Sequence, residues 1–409
     1  MQPESLFYII LSIIVVDYLL DQLLDYLNHR NARTELPSEV SDIYDAEKYQ
    51  KSIKYQKTQG SFSFITSAFS FLLSSGMIYF GVFGVLDSWL SAYISQGVVL
   101  ALVYFGVLFI VSDLVNTPFQ LYGTFVIEEK FGFNKTTVKT FLLDKVKGYL
   151  LGIVIGGALI GTLLFLILKI GADFWIYFWV IASCFILFFN MFYTSLILPL
   201  FNKLTPLEEG ALKDAIHSYS KSINFPLTNI FVIDGSKRSN KANAFFSGIG
   251  RKKKIVLYDT LIKNHTTEEL VAVLAHEVGH FKKRHIIQGF IISIGQIGLM
   301  LFIMSLMIFN QNLSLALGAE QLAIHVNLIA FTILYSPISK VFGVIGNVIS
   351  RKNEFEADEY ASKTYDSVPL QNALKKLSVD NLSNLYPHPA YVFFNYSHPP
   401  LLKRLEAMK

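Results

Sequence analysis

Cysteine and charged residues are both scarce in this 409-residue chain. Its single cysteine, Cys184, excludes a disulfide framework within the chain and a zinc site built from four cysteines. Only 16% of the residues are charged, against about 25% in soluble domains. The hydrophobic share is 52%, the mean hydropathy is +0.44, and the net charge of +4 is too small to indicate a nucleic-acid partner. We therefore expect much of the chain to face a lipid bilayer.

Long apolar runs predict an all-α polytopic membrane protein. A membrane-spanning helix needs about 20 mostly apolar residues. We predict seven spans, at about 5–27, 61–87, 97–118, 148–170, 173–200, 286–309 and 322–346. The fourth and fifth are joined by a short turn and should form a hairpin. The N-terminus lacks the basic region and cleavage site of a signal peptide, so we expect the first span to be retained.

The loops between these spans alternate in basic residues, which predicts the orientation in the membrane. Loop 28–60 carries several lysines and arginines and loop 119–147 carries several lysines, whereas loops 88–96 and 310–321 carry neither. By the positive-inside rule, the N-terminus is then outside and the C-terminus lies in the cytoplasm. The segment 201–285, with its basic run at 251–254, shares the cytoplasmic side.

An H-E-x-x-H motif within a helical pattern predicts a zinc site. Residues four apart lie on one face of a helix, so His276 and His280 can hold one zinc ion, with Glu277 beside it to activate water. Thr266 and Glu269 fit a capping box that begins this helix. Paired histidines are more often surface or core residues, but the cap and a further candidate ligand favour zinc. The sixth span looks continuous with this helix.

That further ligand is expected after the last span. Glu354 and Asp358 are four residues apart and share one helical face, whereas Glu356 points about 160° away from Asp358 at about 100° per residue. A catalytic zinc with two histidines typically takes one carboxylate, for which we select Glu354. Asp358 would then orient a ligand histidine. The alternative is an ordinary charged helix face.

Two short β-rich segments precede the motif, at 229–234 and 255–259. They are predicted to be strands of a small β-hairpin, with Asn243, Ala244 and Phe245 between them. A strand beside the zinc could pair with an extended peptide substrate through its backbone. A plain structural hairpin fits the local sequence equally well.

The tail contains His398 and Arg404 on either side of a predicted helix start at Pro399 and Pro400. Both side chains could reach the zinc site and stabilise a developing oxyanion. A purely structural terminal helix is the equally weighted alternative.

Several acids lie inside the predicted spans. Asp17, Asp21 and Asp25 recur every four residues on one face of the first span, and Asp113 lies late in the third. Intramembrane carboxylates usually face a bundle interior or a water-filled cavity, and we favour this for Asp17. Asp21 and Asp25 could simply lie near the cytoplasmic interface, and a proton relay is the less favoured alternative.

Four segments together resemble the type I CAAX prenyl proteases, which are integral-membrane zinc endopeptidases. The segments are Glu-Lys-Phe-Gly-Phe-Asn at 129–134, His-Glu-Val-Gly-His at 276–280, Asn-Glu-Phe-Glu-Ala-Asp at 353–358 and Tyr-Ser-His-Pro-Pro at 396–400. The resemblance covers nearly the whole chain and implies seven helices around a water-filled chamber, with a zincin-like catalytic helix on the cytoplasmic side. It also implies farnesylated C-terminal peptides as substrates, cut to release their last three residues.

The same resemblance implies roles for particular residues. Zinc, one ion per chain, would be held by His276, His280 and Glu354, with Glu277 as catalytic base. The Asn243, Ala244 and Phe245 strand would align the substrate, and His398 and Arg404 would contact the transition state.

Along the chain we expect four regions. Spans one to five occupy 1–200, the zinc-protease segment 201–285, spans six and seven 286–350, and the C-terminal segment 351–409. The length and the absence of a dilysine-type signal favour a bacterial inner membrane, with the endoplasmic reticulum membrane as alternative. Membrane-protein quality control and a transporter or channel with a structural zinc are the competing functions; Glu277 argues against the latter, since a structural site needs no base.

Overall fold

Helices dominate the fold, and the computed structural model describes residues 1–95, 97–225, 229–247 and 254–409. Most of the basic run at 251–254 lies outside the described residues. The helices are α1 Pro3–Arg30, α2 Ala46–Tyr79, α3 Val82–Ser91, α4 Val98–Tyr122, α5 Val138–Leu151, α6 Gly157–Ile170, α7 Phe174–Leu196, α8 Leu198–Phe201, α9 Ala211–Ser222, α10 Asp259–Asn264, α11 Thr267–Lys282, α12 His285–Met307, α13 Gln311–Ala316, α14 Ile324–Thr364, α15 Ser367–Asp380, α16 Pro389–Asn395 and α17 Leu401–Ala407.

Within the described residues, six helical stretches are long and apolar enough to cross a membrane. They are Pro3–Arg30, Ala46–Tyr79, Val98–Glu128, Val138–Phe201, His285–Met307 and Ile324–Thr364. The 64-residue stretch contains both the fourth and the fifth predicted spans, separated by a single 3₁₀ turn at Gly171–Asp173. The multispanning helical fold is thus confirmed, and the count of seven stays a prediction.

Helix boundaries differ from the expectation at three places. The second predicted span breaks at Gly81, which has φ +63° and separates α2 from α3. The expected continuity between the motif helix and the sixth span is wrong, because Arg284 adopts φ 62° and separates α11 from α12. Conversely, the last span and the segment with Glu354 form one 41-residue helix, α14.

The N-terminus contacts one of the two loops that lack basic residues, and α3, which leads into the other, contacts the same loop. The Nδ2 of Asn312 donates to the carbonyl oxygen of Met1 at 3.0 Å. A Cβ at Gly84 would lie 1.9 Å from the backbone of Gly318, so only glycine permits this approach of α3 to the loop after α13. These contacts bring the N-terminus and both loops to one end of the molecule, which agrees with the predicted alternation of sides.

The sheet is not the predicted hairpin. Strands β1 Leu204–Pro206, β2 Ile230–Ile233, β3 Ala244–Ser247 and β4 Lys254–Tyr258 form one mixed sheet in the order β1-β2-β4-β3. The two predicted strands, β2 and β4, are parallel neighbours, and β3 pairs antiparallel with β4. Parallel strands cannot be joined by a tight turn. The chain runs from β2 to β3 before it forms β4, and β4 lies between those two strands. Strand β3 is therefore at the edge of the sheet.

Three of the four acids named within the predicted spans have basic partners that the sequence analysis did not identify. Asp17 and Asp21 of α1 lie 3.2 and 3.0 Å from the Nζ of Lys340 on α14. Asp113 of α4 lies 2.6 Å from the Nζ of Lys145 on α5. These pairs link neighbouring helices and compensate charges that would be costly beside lipid.

Candidate metal centre

Helix α11 carries the motif and is buried along most of its length. Thr266 caps it: its side chain accepts a hydrogen bond from the backbone N–H of Glu269, while the Glu269 carboxylate accepts one from the N–H of Thr266. This confirms the predicted capping box. Lys376 of α15 also holds Glu269 at 2.8 Å. The helix start is therefore fixed, and with it the direction in which His276 and His280 point.

Small residues let α14 approach α11 closely. A Cβ at Gly279 would lie 3.1 Å from the Cα of Ala357 and 3.2 Å from its carbonyl oxygen. Because neither position carries a larger side chain, the two helices pack almost backbone to backbone. This approach brings Glu354, one turn before Ala357, next to both histidines.

The three candidate donors lie at distances that suit a tetrahedral ion. The Nε2 atoms of His276 and His280 are 3.1 Å apart, and they lie 3.5 and 3.3 Å from the two carboxylate oxygens of Glu354. Zinc–ligand bonds of about 2.0–2.1 Å in a tetrahedron give ligand–ligand edges of about 3.3 Å. The Oε2 of Glu354 is buried and has no well-oriented hydrogen-bond partner among the described residues. A bound metal ion would satisfy this oxygen. The donor set therefore fits zinc.

Asp358 contacts the first histidine on the side away from these donors. Its Oδ1 lies 2.9 Å from the Nδ1 of His276. Arg404 of α17 donates two hydrogen bonds to the same carboxylate, from Nε at 2.8 Å and from Nη2 at 2.6 Å. Asp358 is almost fully buried, and a paired, hydrogen-bonded charge is what such burial requires. The structure thus brings Asp358 to the place expected of a residue that orients His276.

Arg404 occupies a different setting from the one expected. Arg404 is buried, its guanidinium contacts Asp358, and its Nη1 lies 3.4 Å from Glu354. Burial alone would lower the pKa of Arg404, but its hydrogen bonds to Asp358 raise it above the ordinary value. The group is therefore a permanent cation held against the two carboxylates of α14.

Glu277 lines a cavity of about 1070 Å³ that begins at the two histidines. The cavity continues along α12 and α14 between apolar side chains, among them Ile292, Ile297, Met300 and Phe342. Burial raises the pKa of the Glu277 carboxyl, although the neighbouring histidines partly offset this. A carboxylate with a raised pKa is a stronger base than a solvated one. Glu277 thus combines basicity with access to the cavity.

His398 lies at the mouth of this cavity. Its side chain is 67% exposed, and its Nδ1 is 3.0 Å from the Oε2 of Glu354 without the orientation of a hydrogen bond. Arg404 follows on the short helix α17. The two tail residues are thus brought to the donor cluster from the same segment.

The edge strand β3 forms one wall of the cavity. Asn243, Ala244 and Phe245 all line it, as do His276 and Glu277. Within the described residues, β3 pairs only with β4, through which it is joined to the rest of the sheet. Its other edge is where an extended peptide could add.

One neighbour of the cluster escaped the sequence analysis. His285, the first residue of α12, lies with its Nδ1 3.0 Å from the Nδ1 of His280, and its Nε2 lies 3.1 Å from Glu356. Nothing in its spacing identifies it, since it belongs to a different helix and lies five residues from His280. Only the turn at Arg284 brings it back to the motif.

Comparison with known protein families agrees with this geometry. Residues 25–203 match the model described as CAAX prenyl protease N-terminal, five membrane helices, and residues 206–409 match the model of peptidase family M48. Together the two matches run from the end of α1 to the C-terminus and include the donor cluster. Family M48 consists of metallopeptidases, so a metal is implied for this chain.

Relatives align over nearly their whole length. CAAX prenyl protease 1 homologs of Oryza sativa and Homo sapiens are 33% and 35% identical, covering 98% and 92% of this chain and 96% and 89% of their own. A crystal structure of S. mikatae Ste24p has a TM-score of 0.93 at 33% identity, covering 99% of both chains. The chain therefore belongs to the CAAX prenyl protease 1 family of M48 peptidases and is a membrane-embedded metalloprotease.

Proposed function

We propose that this protein is a zinc endopeptidase with one ion per chain, held by His276, His280 and Glu354. The observation that carries the proposal is the grouping of the donors: the two histidine Nε2 atoms lie 3.1 Å apart, and they lie 3.5 and 3.3 Å from the two oxygens of Glu354, with Glu277 on the wall of the adjoining cavity. Three protein donors leave a position for water, as catalytic zinc sites do and structural sites do not.

Glu277 is the proposed general base. Zinc, when bound, polarises the scissile carbonyl and lowers the pKa of water to about 7. The Glu277 carboxylate accepts a proton from the attacking water and passes it to the leaving amine. Burial raises the pKa of the Glu277 carboxyl, which makes its carboxylate a better acceptor for the proton of the water.

His398 and Arg404 are proposed to stabilise the oxyanion, in unequal ways. His398 is exposed to the cavity mouth, so it can turn towards a substrate oxygen. Arg404 has two of its N–H groups bound to Asp358, so its share is mainly the field of a fixed positive charge. We therefore assign the direct contact to His398 and the holding of Asp358, and through it His276, to Arg404.

We propose that the substrate adds to β3 as a further strand and that its C-terminal end carries a prenyl group. Asn243, Ala244 and Phe245 lie beside the donor cluster, which supports backbone pairing there. The names of the relatives point to CAAX substrates. The apolar length of the cavity along α12 and α14 offers a surface for a lipid chain, which a protease of unmodified soluble peptides would not need.

The proposed orientation has the N-terminus outside and the catalytic site facing the cytoplasm. Two contacts support the grouping of the basic loops with the metal centre: Arg238 binds Asp144 at 2.8 Å, and Lys241 lies 3.0 Å from Glu128. The bacterial inner membrane and the endoplasmic reticulum membrane remain the two proposed locations; the named relatives are eukaryotic.

A cleavage assay tests the proposal. Purified protein should release the last three residues of a farnesylated CAAX peptide, and a chelator should stop the reaction until zinc is restored. Glu277→Ala should lower turnover by about 10²–10⁴-fold while keeping zinc, because Glu277 is a base and not a ligand. Glu359→Ala, which removes an exposed acid paired with Lys363, is the matched control.

Two results would contradict the proposal. Cleavage that persists in Glu277→Ala would remove its assigned role. Faster cleavage of unfolded membrane proteins than of any prenylated peptide would favour the quality-control alternative.

A further inference from the structure

His285 and Glu356 form a hydrogen-bonded chain that ends on one of the proposed metal ligands. His280 Nδ1 lies 3.0 Å from His285 Nδ1, and His285 Nε2 lies 3.1 Å from Glu356 Oε2. His285 is buried, with 8% exposure, and it has no part in the cleavage steps proposed above. The burial of this imidazole beside a proposed metal ligand therefore indicates a role in positioning that ligand.

The donor and the acceptor of both hydrogen bonds, from His280 to His285 and from His285 to Glu356, follow from which nitrogen of His280 faces the metal site. His280 directs its Nε2 at His276 and Glu354, so Nε2 is the atom that would bind the metal. A neutral imidazole that gives one nitrogen to a metal carries its proton on the other. His280 Nδ1 must then donate, and the facing nitrogen of His285 must accept.

The second bond is thereby determined as well. Since His285 accepts at Nδ1, its own proton is on Nε2, which faces the carboxylate of Glu356. Glu356 accepts, and as an ion it can only accept. A carboxylate at the far end thus selects the tautomer of His285, which selects the tautomer of His280 with its Nε2 lone pair directed at the metal.

The other ligand histidine has a shorter version of the same arrangement. Asp358 contacts His276 Nδ1 directly at 2.9 Å. Three acids of α14 then have different roles. Glu354 faces the donor cluster, Asp358 orients His276, and Glu356 reaches His280 through His285. The helical periodicity that directs Glu356 away from Glu354 is the reason it needs an intermediary.

The turn between α11 and α12 makes the intermediary possible. Arg284 has φ 62°, which turns the chain so that the first residue of α12 faces back to His280. Asn353 of α14 then donates to the Oε1 of Gln288 at 3.0 Å, one turn further along α12. This bond holds the start of α12 against α14, where His285 meets Glu356.

We propose that His285 and Glu356 are positioning residues that orient His280 and strengthen its bond to zinc. Hydrogen bonds from ligand histidines to carboxylates typically contribute 10–100-fold to metal affinity. The inference rests on the zinc site proposed above, and its test measures zinc binding rather than cleavage.

The test is the dissociation constant for Zn²⁺ of the full-length protein, measured by competition with a fluorescent chelator. His285→Phe keeps the ring and removes both nitrogens, so we expect the constant to rise by about 10–100-fold. His285→Asn offers an amide oxygen near the place of Nδ1 and should recover part of that loss. Glu356→Ala should raise the constant by up to about tenfold, and the control Glu359→Ala should leave it unchanged.

A double variant separates orientation from mere packing. If the two residues act as one chain, His285→Phe with Glu356→Ala should bind zinc no more weakly than His285→Phe alone. A purely structural role predicts lower thermal stability of the metal-free protein with an unchanged zinc constant. Should His285→Phe fail to fold, the comparison of Glu356→Ala with Glu359→Ala decides alone.

The outcomes are distinct from those of the proposed function. A wild-type protein that binds no zinc would refute the metal site itself. Wild-type zinc binding that is unchanged in His285→Phe, or in Glu356→Ala if the former does not fold, would overturn only the inference, as would fully additive losses in the double variant.

Discussion

The close approach of α11 and α14 at Gly279 sets the position of Glu354, and adding one methyl group should disturb it. A Cβ at this position would lie 3.1 Å from the Cα of Ala357 and 3.2 Å from the Cβ of Tyr360. Ordinary carbon–carbon contacts are about 3.5–4.0 Å. Since the opposing atoms include backbone, α14 has to move away by about 0.5 Å in Gly279→Ala.

The expected loss is mainly one of function. A misplacement of about 1 Å at a reacting group can cost about 10²-fold, so about half of that displacement should lower turnover by about tenfold. Stability should change less, because alanine gains about 1 kcal/mol over glycine inside a helix. That gain offsets part of the 1–3 kcal/mol that overpacking typically costs.

Turnover on the farnesylated peptide, zinc content and thermal stability should be measured on one preparation. Gly295→Ala is the matched control, since within the described part of the chain no atom beyond the local backbone of α12 lies within 4 Å of the added Cβ. We expect that variant to behave as wild type or to be slightly more stable. Normal turnover and normal zinc affinity in a folded Gly279→Ala protein would refute the reasoning that helix separation sets the site.

Three further predictions follow from the site and the topology. Glu354→Ala should lose zinc on dialysis while Glu359→Ala retains it, because Glu354 is the carboxylate that lies within reach of both histidines among the described residues. Equal retention by metal analysis would mean that the carboxylate ligand is another residue. His398→Ala should lower kcat by about 10²–10³-fold with little change in KM and full zinc content, since an oxyanion donor acts in the transition state; a folded variant with normal kcat would remove His398 from the catalytic set. Single cysteines introduced at Lys54 and Lys139 in a Cys184→Ser background should be labelled from one side of the membrane, and those at Ser91 and Asn312 from the other; labelling of positions 54 and 91 from the same side would break the proposed topology.

The sequence alone determined the features that depend on neighbours along the chain. The pairing of His276 with His280, the start of their helix at Thr266 and the apolar length of the spans all follow from helical periodicity and local capping. The choice of Glu354 over Glu356 followed from the same periodicity, because it depends only on which face of one helix each acid occupies. The grouping of basic loops likewise needed no three-dimensional information.

Only the tertiary structure decided the contacts between distant segments. The approach of Gly279 to Ala357, the parallel pairing of β2 with β4 and the commitment of Arg404 to Asp358 each join residues that no local pattern relates. His285 is the clearest case: a left-handed residue at Arg284 turns a predicted continuous helix into two, and this turn brings His285 to His280. Such contacts depend on how the surfaces of whole elements pack against each other. The sequence of one segment does not specify which distant surface it will meet.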